Sequence, residues 1–175
     1  MKKVLVVHYS QTGQLTDIVD AVLGPFASDK SIQIDTLTLQ PQPDYPFPWS
    51  TQTFCDVFPE SVEGVPCALA PIEIDPDADY DLIILAYTVW YLSPSLPVQA
   101  FLGSPEAARL FPDTPVVTVI GCRNMWLLAQ ERVKRSIRDL GGHLVGNIVL
   151  GDRASNLVGV ATIAYWMLTG RKDRL

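Results

Sequence analysis

The chain is poor in the residues that build metal and disulfide sites. It holds three cysteines (Cys55, Cys67 and Cys122) and only two histidines. No Cys-x-x-Cys occurs and the spacing matches no metal-ligand pattern, so no metal is expected. An odd cysteine count without a secretory leader fits free thiols in a reducing compartment, so the expected location is cytoplasmic. Charged residues are scarce at 18%, and the net charge of −6 argues against nucleic acid as a partner. No apolar run reaches the roughly 20 residues needed for an integral membrane span. The dinucleotide fingerprint Gly-x-Gly-x-x-Gly is missing, and no lysine follows the first loop glycine, Gly13, which excludes a nucleoside-triphosphate loop. There is no internal repeat and no sign of a second domain.

What is present is a globular composition, 48% hydrophobic over 175 residues, enough for one domain with a sizeable core. The front of the chain is its most informative stretch. An apolar run, Val4 to His8, enters the polar turn Tyr9-Ser10-Gln11-Thr12-Gly13-Gln14-Leu15-Thr16. A helical pattern follows, with Leu15, Ile18, Val19, Val22, Leu23 and Phe26 at helical intervals. A strand, a tight polar loop and a helix N-terminus form an anion site, because backbone N–H groups converge where the helix dipole favours negative charge. Ser10, Thr12 and Thr16 add hydroxyls, and Gly13 permits close approach or a positive φ. A loop with hydroxyls and no cation suits a phosphate monoester. An ordinary strand–helix turn with a cap is the structural alternative.

Further apolar runs at 32–39, 81–86, 115–121 and 143–150 predict four more strands after the one at 3–8. The first, third and fourth are continuously apolar, as in parallel strands covered on both faces; the second and fifth are mixed, as at edges. That gradation supports an α/β fold with a five-stranded parallel sheet of order 2-1-3-4-5. Helices are expected from Leu96 to Leu102 and after a cap at Asn124, the latter with core positions Trp126, Ala129, Val133, Ile137 and Leu140. Residues 40–78 hold eight of the fourteen prolines together with Tyr45, Phe47, Trp49, Phe54 and Phe58. Such proline density argues against a long helix, leaving room for a short one from Pro59 to Gly64. The segment reads as a lid or a clasp. Asp75, Asp77, Asp79 and Asp81 read as a solvated turn. Residues 157–168 predict a buried terminal helix, apolar all round, with Arg171, Lys172 and Arg174 beyond it. Such a helix calls for a further partner: a second subunit, a membrane surface, or a region outside this sequence if the chain is a fragment.

The loop of Ser10, Thr12, Gly13 and Gln14 resembles the phosphate loop of the flavodoxin-like family, with Leu15 where that family usually has a hydroxyl. The resemblance implies a three-layer sandwich with FMN as cofactor, held by Ser10, Gln11, Thr12, Gly13, Gln14, Leu15 and Thr16. Two further loops would then border the flavin. One is the region of Tyr87, Thr88, Val89, Trp90 and Tyr91, where Thr-x-Trp before a Ser/Pro-rich turn resembles the second flavin loop and Trp90 or Tyr91 could stack on the ring. The other is Gly121, Cys122, Arg123 and Asn124, where a cation stands in a loop the family usually keeps neutral or acidic. Arg123 is thus the expected catalytic residue, stabilising the reduced, anionic flavin, unless it pairs with a surface carboxylate such as Asp152. The opening motif and Trp166-Met167-Leu168-Thr169-Gly170-Arg171-Lys172 also bear a fainter resemblance to flavodoxin-like proteins labelled dialkylresorcinol condensing enzymes, which implies aryl-lipid biosynthesis. The expected function is an FMN oxidoreductase moving hydride from NAD(P)H to a quinone-like or biosynthetic acceptor. A one-electron carrier serving a redox partner protein and a non-catalytic phosphate-binding module are the alternatives. A homodimer is expected from the apolar terminal helix.

Overall fold

The computed structural model of the chain describes residues 1–75, 78–151 and 156–171, with side chains of the last segment from 161 onward. Strand β1 (Lys2–His8) leads through the polar turn into α1 (Gln14–Leu23) and a single 3-10 turn, Gly24–Phe26, then into β2 (Ile32–Thr38). The Pro-rich region follows: β3 (Pro41–Gln42), α2 (Thr51–Glu63) and β4 (Ala68–Leu69). The chain returns to the sheet as β5 (Leu82–Trp90) and folds back as β6 (Ser93–Pro94). It then runs through α3 (Leu96–Leu102), α4 (Pro105–Leu110), β7 (Pro115–Cys122), α5 (Leu127–Asp139), β8 (His143–Gly151) and α6 (Asn156–Thr169).

The long strands pair in parallel in the order β2-β1-β5-β7-β8. That is second, first, third, fourth, fifth, as the apolar gradation predicted. Alternation along the strands separates two cores. On one face Leu5, Val7, Ile83, Leu85, Val116 and Ile120 pack with Leu96, Phe101 and Phe111, and with Ala129, Val133 and Ile137 of α5. On the other face Val6, Ile84, Ala86 and Val119 meet Leu15 and Val19 of α1. The order of strands puts the switch between β1 and β5, with the loops after β1, β5 and β7 side by side at the carboxyl edge.

The Pro-rich region departs from expectation. It contains a helix of 13 residues rather than one short turn. Seven of its eight prolines lie outside that helix, and only Pro59 is inside. Ser50 caps the start by accepting the Thr53 N–H at 3.0 Å, and Gly64 closes the end at φ 75°. The antiparallel pair β3–β4 pinches the base of the excursion, matching Pro41 to Leu69 and Gln42 to Ala68. Trp49, 2% exposed, drives the segment onto the sheet.

Three smaller differences follow from local chemistry. Helix α5 starts at Leu127 with Trp126 at its N-cap, so Asn124 is not the cap. Strand β5 continues through Tyr87 to Trp90, where a loop was expected, because these residues still pair with β7 as far as Thr88 and then with β6. Helix α4, unread in the sequence, is started by Ser104, which accepts the Ala107 N–H at 3.1 Å. Of the acidic turn, Asp81 takes the Lys3 N–H at 2.8 Å and pairs with Lys2; Asp77 lies outside the described residues.

Helix α6 is not buried over its described side chains, residues 161–169. None of its described side chains is fully buried, and Leu168 is exposed. Its C-terminal turn rests on the Pro-rich region: Trp166 lies 5.1 Å from Phe47, ring to ring, and the Trp49 N–H donates to Met167 O at 2.8 Å. Among the described residues no helix is long and apolar enough to cross a membrane. Lys172 and Arg174 lie outside them.

Two measurements check this account. Trp49→Ala should remove about 3–5 kcal/mol of stability in chemical denaturation, the usual cost of deleting a fully buried aromatic, and should expose residues 40–75 to protease. His8 carries the second. It is buried at the end of β1, and burial lowers its pKa from the ordinary 6.5, with Asp20 partly opposing. The unfolded chain therefore binds the extra proton first. Stability should fall as pH drops below 6.5 towards the folded-state value, by at most about 1.4 kcal/mol per pH unit. His8→Leu should flatten that limb; an unchanged slope would show that His8 does not titrate with unfolding.

Candidate functional site

The first loop is braced by its own side chains. Gly13 takes φ 81° and ψ −22°, a left-handed conformation that suits glycine, and a Cβ there would meet nothing within 4 Å. Having no side chain, Gly13 cannot cap α1. Ser10 reaches across instead, and its Oγ accepts the N–H groups of Leu15 at 3.1 Å and Thr16 at 3.3 Å. Thr12 is half-buried and Gln14 exposed beside the opening. The Thr16 hydroxyl lies 3.4 Å from His8 Nε2, on the strand side of the turn. Leu15, the departure from the resembled loop, is buried against Gly121: a Cβ at Gly121 would stand 3.2 Å from Leu15 Cδ1 and 3.9 Å from Thr88 Cγ2. The start of α1 and the ends of β5 and β7 therefore pack together at Gly121. Gln11 ties the first loop to the Pro-rich region by donating to Pro46 O at 2.8 Å.

The second segment is a β-hairpin. Val89 pairs with Pro94 and Trp90 with Ser93, leaving Tyr91 (φ 50°) and Leu92 (φ 67°) at the tip. Two left-handed residues suit the twist of a two-residue hairpin, but Tyr and Leu are costly there, by about 1–3 kcal/mol each. The tip is fixed from α2: the Tyr91 hydroxyl donates to Phe54 O at 2.5 Å, and its ring lies 5.2 Å from Phe54 and 4.8 Å from Phe58. The turn after β5 divides the two aromatics named in the sequence. Tyr91 faces a cavity, whereas Trp90 is buried edge-on among Tyr9, Tyr45 and Trp49 at 5.9, 5.1 and 5.3 Å. Tyr87 is deeper still. Its hydroxyl donates to Gln130 Oε1 at 2.6 Å, Gln130 donates to Thr118 at 3.0 Å, and Thr118 to Asn147 at 2.9 Å. This buried polar chain joins α5 to the sheet and keeps Tyr87 away from the loops. Burial pushes its hydroxyl well above the ordinary tyrosine range.

The cavity, about 390 Å³, lies between the hairpin and the third loop. Val89, Tyr91 and Leu92 line one side; Cys122, Arg123, Asn124 and Met125 line the other. Its size falls in the range of small-molecule sites. Arg123 is half-buried there and supplies the cavity's positive charge. Asp152, the surface partner considered for it, lies outside the described residues. Burial raises the Cys122 pKa, so that thiol stays protonated at neutral pH and suits packing rather than attack. A second cavity of about 350 Å³ opens on the other side of β1, between Tyr9, Ser10, the end of β2 and the start of the Pro-rich region as far as Asp44. The Tyr9 hydroxyl is buried with no hydrogen-bond partner, and burial with Asp44 nearby raises its pKa. Leu92 and Met125, not among the expected cofactor-binding residues, line the first cavity, and Phe54 and Phe58 of the expected lid or clasp stand behind Tyr91. The spacing of Phe54 and Phe58, four apart, was the available signal.

No family model and no curated protein matches this chain. Solved structures do. A flavoprotein from Lactobacillus acidophilus NCFM, solved in complex with FMN, aligns over 85% of this chain and 93% of its own with a TM-score of 0.65 at 14% identity. A flavodoxin from the domain Archaea aligns over 95% and 94%, TM-score 0.55, at 12% identity. Flavodoxin 1 from Bacillus cereus aligns over 94% of each chain, TM-score 0.55, at 10% identity. At such low identity the agreement is one of architecture. The chain has the flavodoxin-like fold.

Proposed function

We propose that this chain binds one FMN and acts as an oxidoreductase, taking hydride from NAD(P)H and passing electrons to a small-molecule acceptor of the quinone type. The observation that carries the reading is that the carboxyl edge of one sheet holds both a loop of neutral donors, Ser10 to Thr16, and a cavity of about 390 Å³ bordered by Tyr91 and Arg123. The donor set fits the group. Hydroxyls and helix N–H groups suit a phosphate monoester. A half-apolar cavity with one aromatic wall suits a planar ring. The FMN-bound flavoprotein of Lactobacillus acidophilus shares this architecture.

In this reading Ser10, Thr12, Gly13 and Gln14 hold the phosphate, with Gln11 bracing the loop against Pro46. Thr88, Val89 and Tyr91 flank the ring from β5, and Gly121, Cys122 and Asn124 from β7. Trp90 acts from behind, by fixing the hairpin. When bound, the flavin supplies two-electron acceptance and stepwise or paired release. Arg123 places fixed positive charge at the cavity wall, which favours the more electron-rich state. Tyr91 and Leu92 limit water on the hairpin side. Sustained NAD(P)H oxidation by the loaded protein separates this reading from a one-electron carrier.

Calorimetry on the purified chain should show FMN binding at one site. Thr12→Ala should weaken it by about 1–3 kcal/mol, the worth of a donor to a charged group. Gly13→Val should weaken it more, since a β-branched residue resists φ 81°. No affinity in the unmodified protein would end the reading. Arg123→Gln should lower the two-electron potential, by roughly 30 mV for each 1.4 kcal/mol of charge interaction removed, and slow hydride uptake. An unchanged potential would make Arg123 a surface residue and favour the electron-carrier alternative.

A further inference from the structure

One face of the molecule is apolar, exposed and flanked by opposite charges. Its centre is the hairpin tip, Leu92. On one side lies α2, whose Phe54, Phe58 and Val62 are all exposed, Phe58 by 51%. On the other side lies the start of α5, with Leu128 exposed by 51% and Met125, just before the helix, by 68%. These are neighbours. Phe54 and Phe58 touch Tyr91, and Arg132 of α5 donates from Nη1 to Val62 O and to Ser93 Oγ, both at 2.9 Å. Leu128 stands one turn before Arg132 on the same stripe. A contiguous patch of this kind is unusual on a monomer.

The charges around it are segregated. From Ser31 to Ala108 the chain contains no lysine, arginine or histidine. Helix α2 carries Asp56, Glu60 and Glu63, all exposed, on a stripe about half a turn away from Phe54 and Phe58, hence on the flank away from the hairpin. Helix α5 carries Arg132, Lys134, Arg135 and Arg138 against Glu131 and Asp139, and is net basic. Across the face the order is therefore acid, apolar, base. Such a face is complementary to itself: a two-fold axis through the apolar centre sets each acidic flank against the basic flank of a second copy.

We propose that the α2–hairpin–α5 face is a homodimer interface, with a second copy of this chain as its occupant. The dimer expected from the sequence then forms here rather than through α6, whose C-terminal turn already rests on Phe47 and Trp49. Leu92 and Met125 belong both to the patch and to the cavity wall, so the second copy also narrows the cavity mouth. The inference uses no property of the ligand and stands or falls apart from the flavin reading.

Sedimentation of the full chain at tens of micromolar should show a dimer. Phe58→Asp and Leu128→Asp should each give monomers with an unchanged circular dichroism spectrum. Charge reversal provides the sharper test. A variant with Asp56→Lys, Glu60→Lys and Glu63→Lys, and another with Arg135→Glu and Arg138→Glu, should each be monomeric alone and should form a one-to-one dimer when mixed. A monomeric unmodified protein would overturn the proposal. So would a dimer that survives both single substitutions, or a mixture of the two charge variants that stays monomeric.

Discussion

The carboxyl edge of the sheet depends on one packing event, the edge-on enclosure of Trp90 by Tyr9, Tyr45 and Trp49. Four aromatics from β5, the first loop and the Pro-rich region meet there, and edge-to-face contacts of this kind add to the burial of their large apolar area. The first loop, the hairpin and the Pro-rich region are all attached to this cluster. Tyr45 and Trp49 bring in the segment whose Pro46 carbonyl receives Gln11. Trp49 also receives the last turn of α6. Trp90, once locked, fixes the end of β5, and the turn that follows carries Tyr91 to the cavity wall. The left-handed pair Tyr91–Leu92 is tolerated because the residues before and after it are fixed.

How far the sequence was legible follows from the range of the forces involved. Continuous apolar runs such as Val4–Val7 and Ile83–Ala86 report burial on two faces, a property of each segment alone, and from them the strand order could be read. The polar turn after β1 was legible for the same reason. The Pro-rich region was not. Proline density describes the whole stretch, whereas helix formation depends on where the prolines fall, and between Ser50 and Gly64 only Pro59 intrudes. The site was legible in outline and not in orientation. Trp90 and Tyr91 are equivalent as sequence, and only the pairing of β5 with β6 decides which faces the cavity. Tyr87 was placed near the site by position along the chain, but its partner Gln130 lies 43 residues away, beyond any local pattern.

The same distinction applies to charge. A net charge of −6 suggests a uniformly acidic molecule. The distribution is otherwise: acid is concentrated in the Pro-rich region, and α5 holds much of the base. At physiological salt, fields from exposed charges reach about 8 Å. Local segregation therefore governs association more than the total does. The cavity shows this on a smaller scale. Among the described residues that line the cavity, Arg123 is the charged one.

The capture of α1's first N–H groups by Ser10 bears on what the first loop can accept. Leu15 and Thr16 already donate to a neutral hydroxyl at 3.1 and 3.3 Å. A neutral ligand offering another hydroxyl would exchange like for like and gain little. A phosphate is different, because hydrogen bonds to a charged acceptor are worth about 1.5–3 kcal/mol against about 0.5–1.5 for neutral pairs. In the proposed reading, displacing Ser10 would also free its hydroxyl to turn and donate to the phosphate. The Thr16 hydroxyl, near His8 at the strand end, is less free to follow. On the proposed FMN reading, a loop whose N–H groups are already held by a neutral hydroxyl would favour a charged phosphate over neutral polar groups, with no lysine or arginine in the loop.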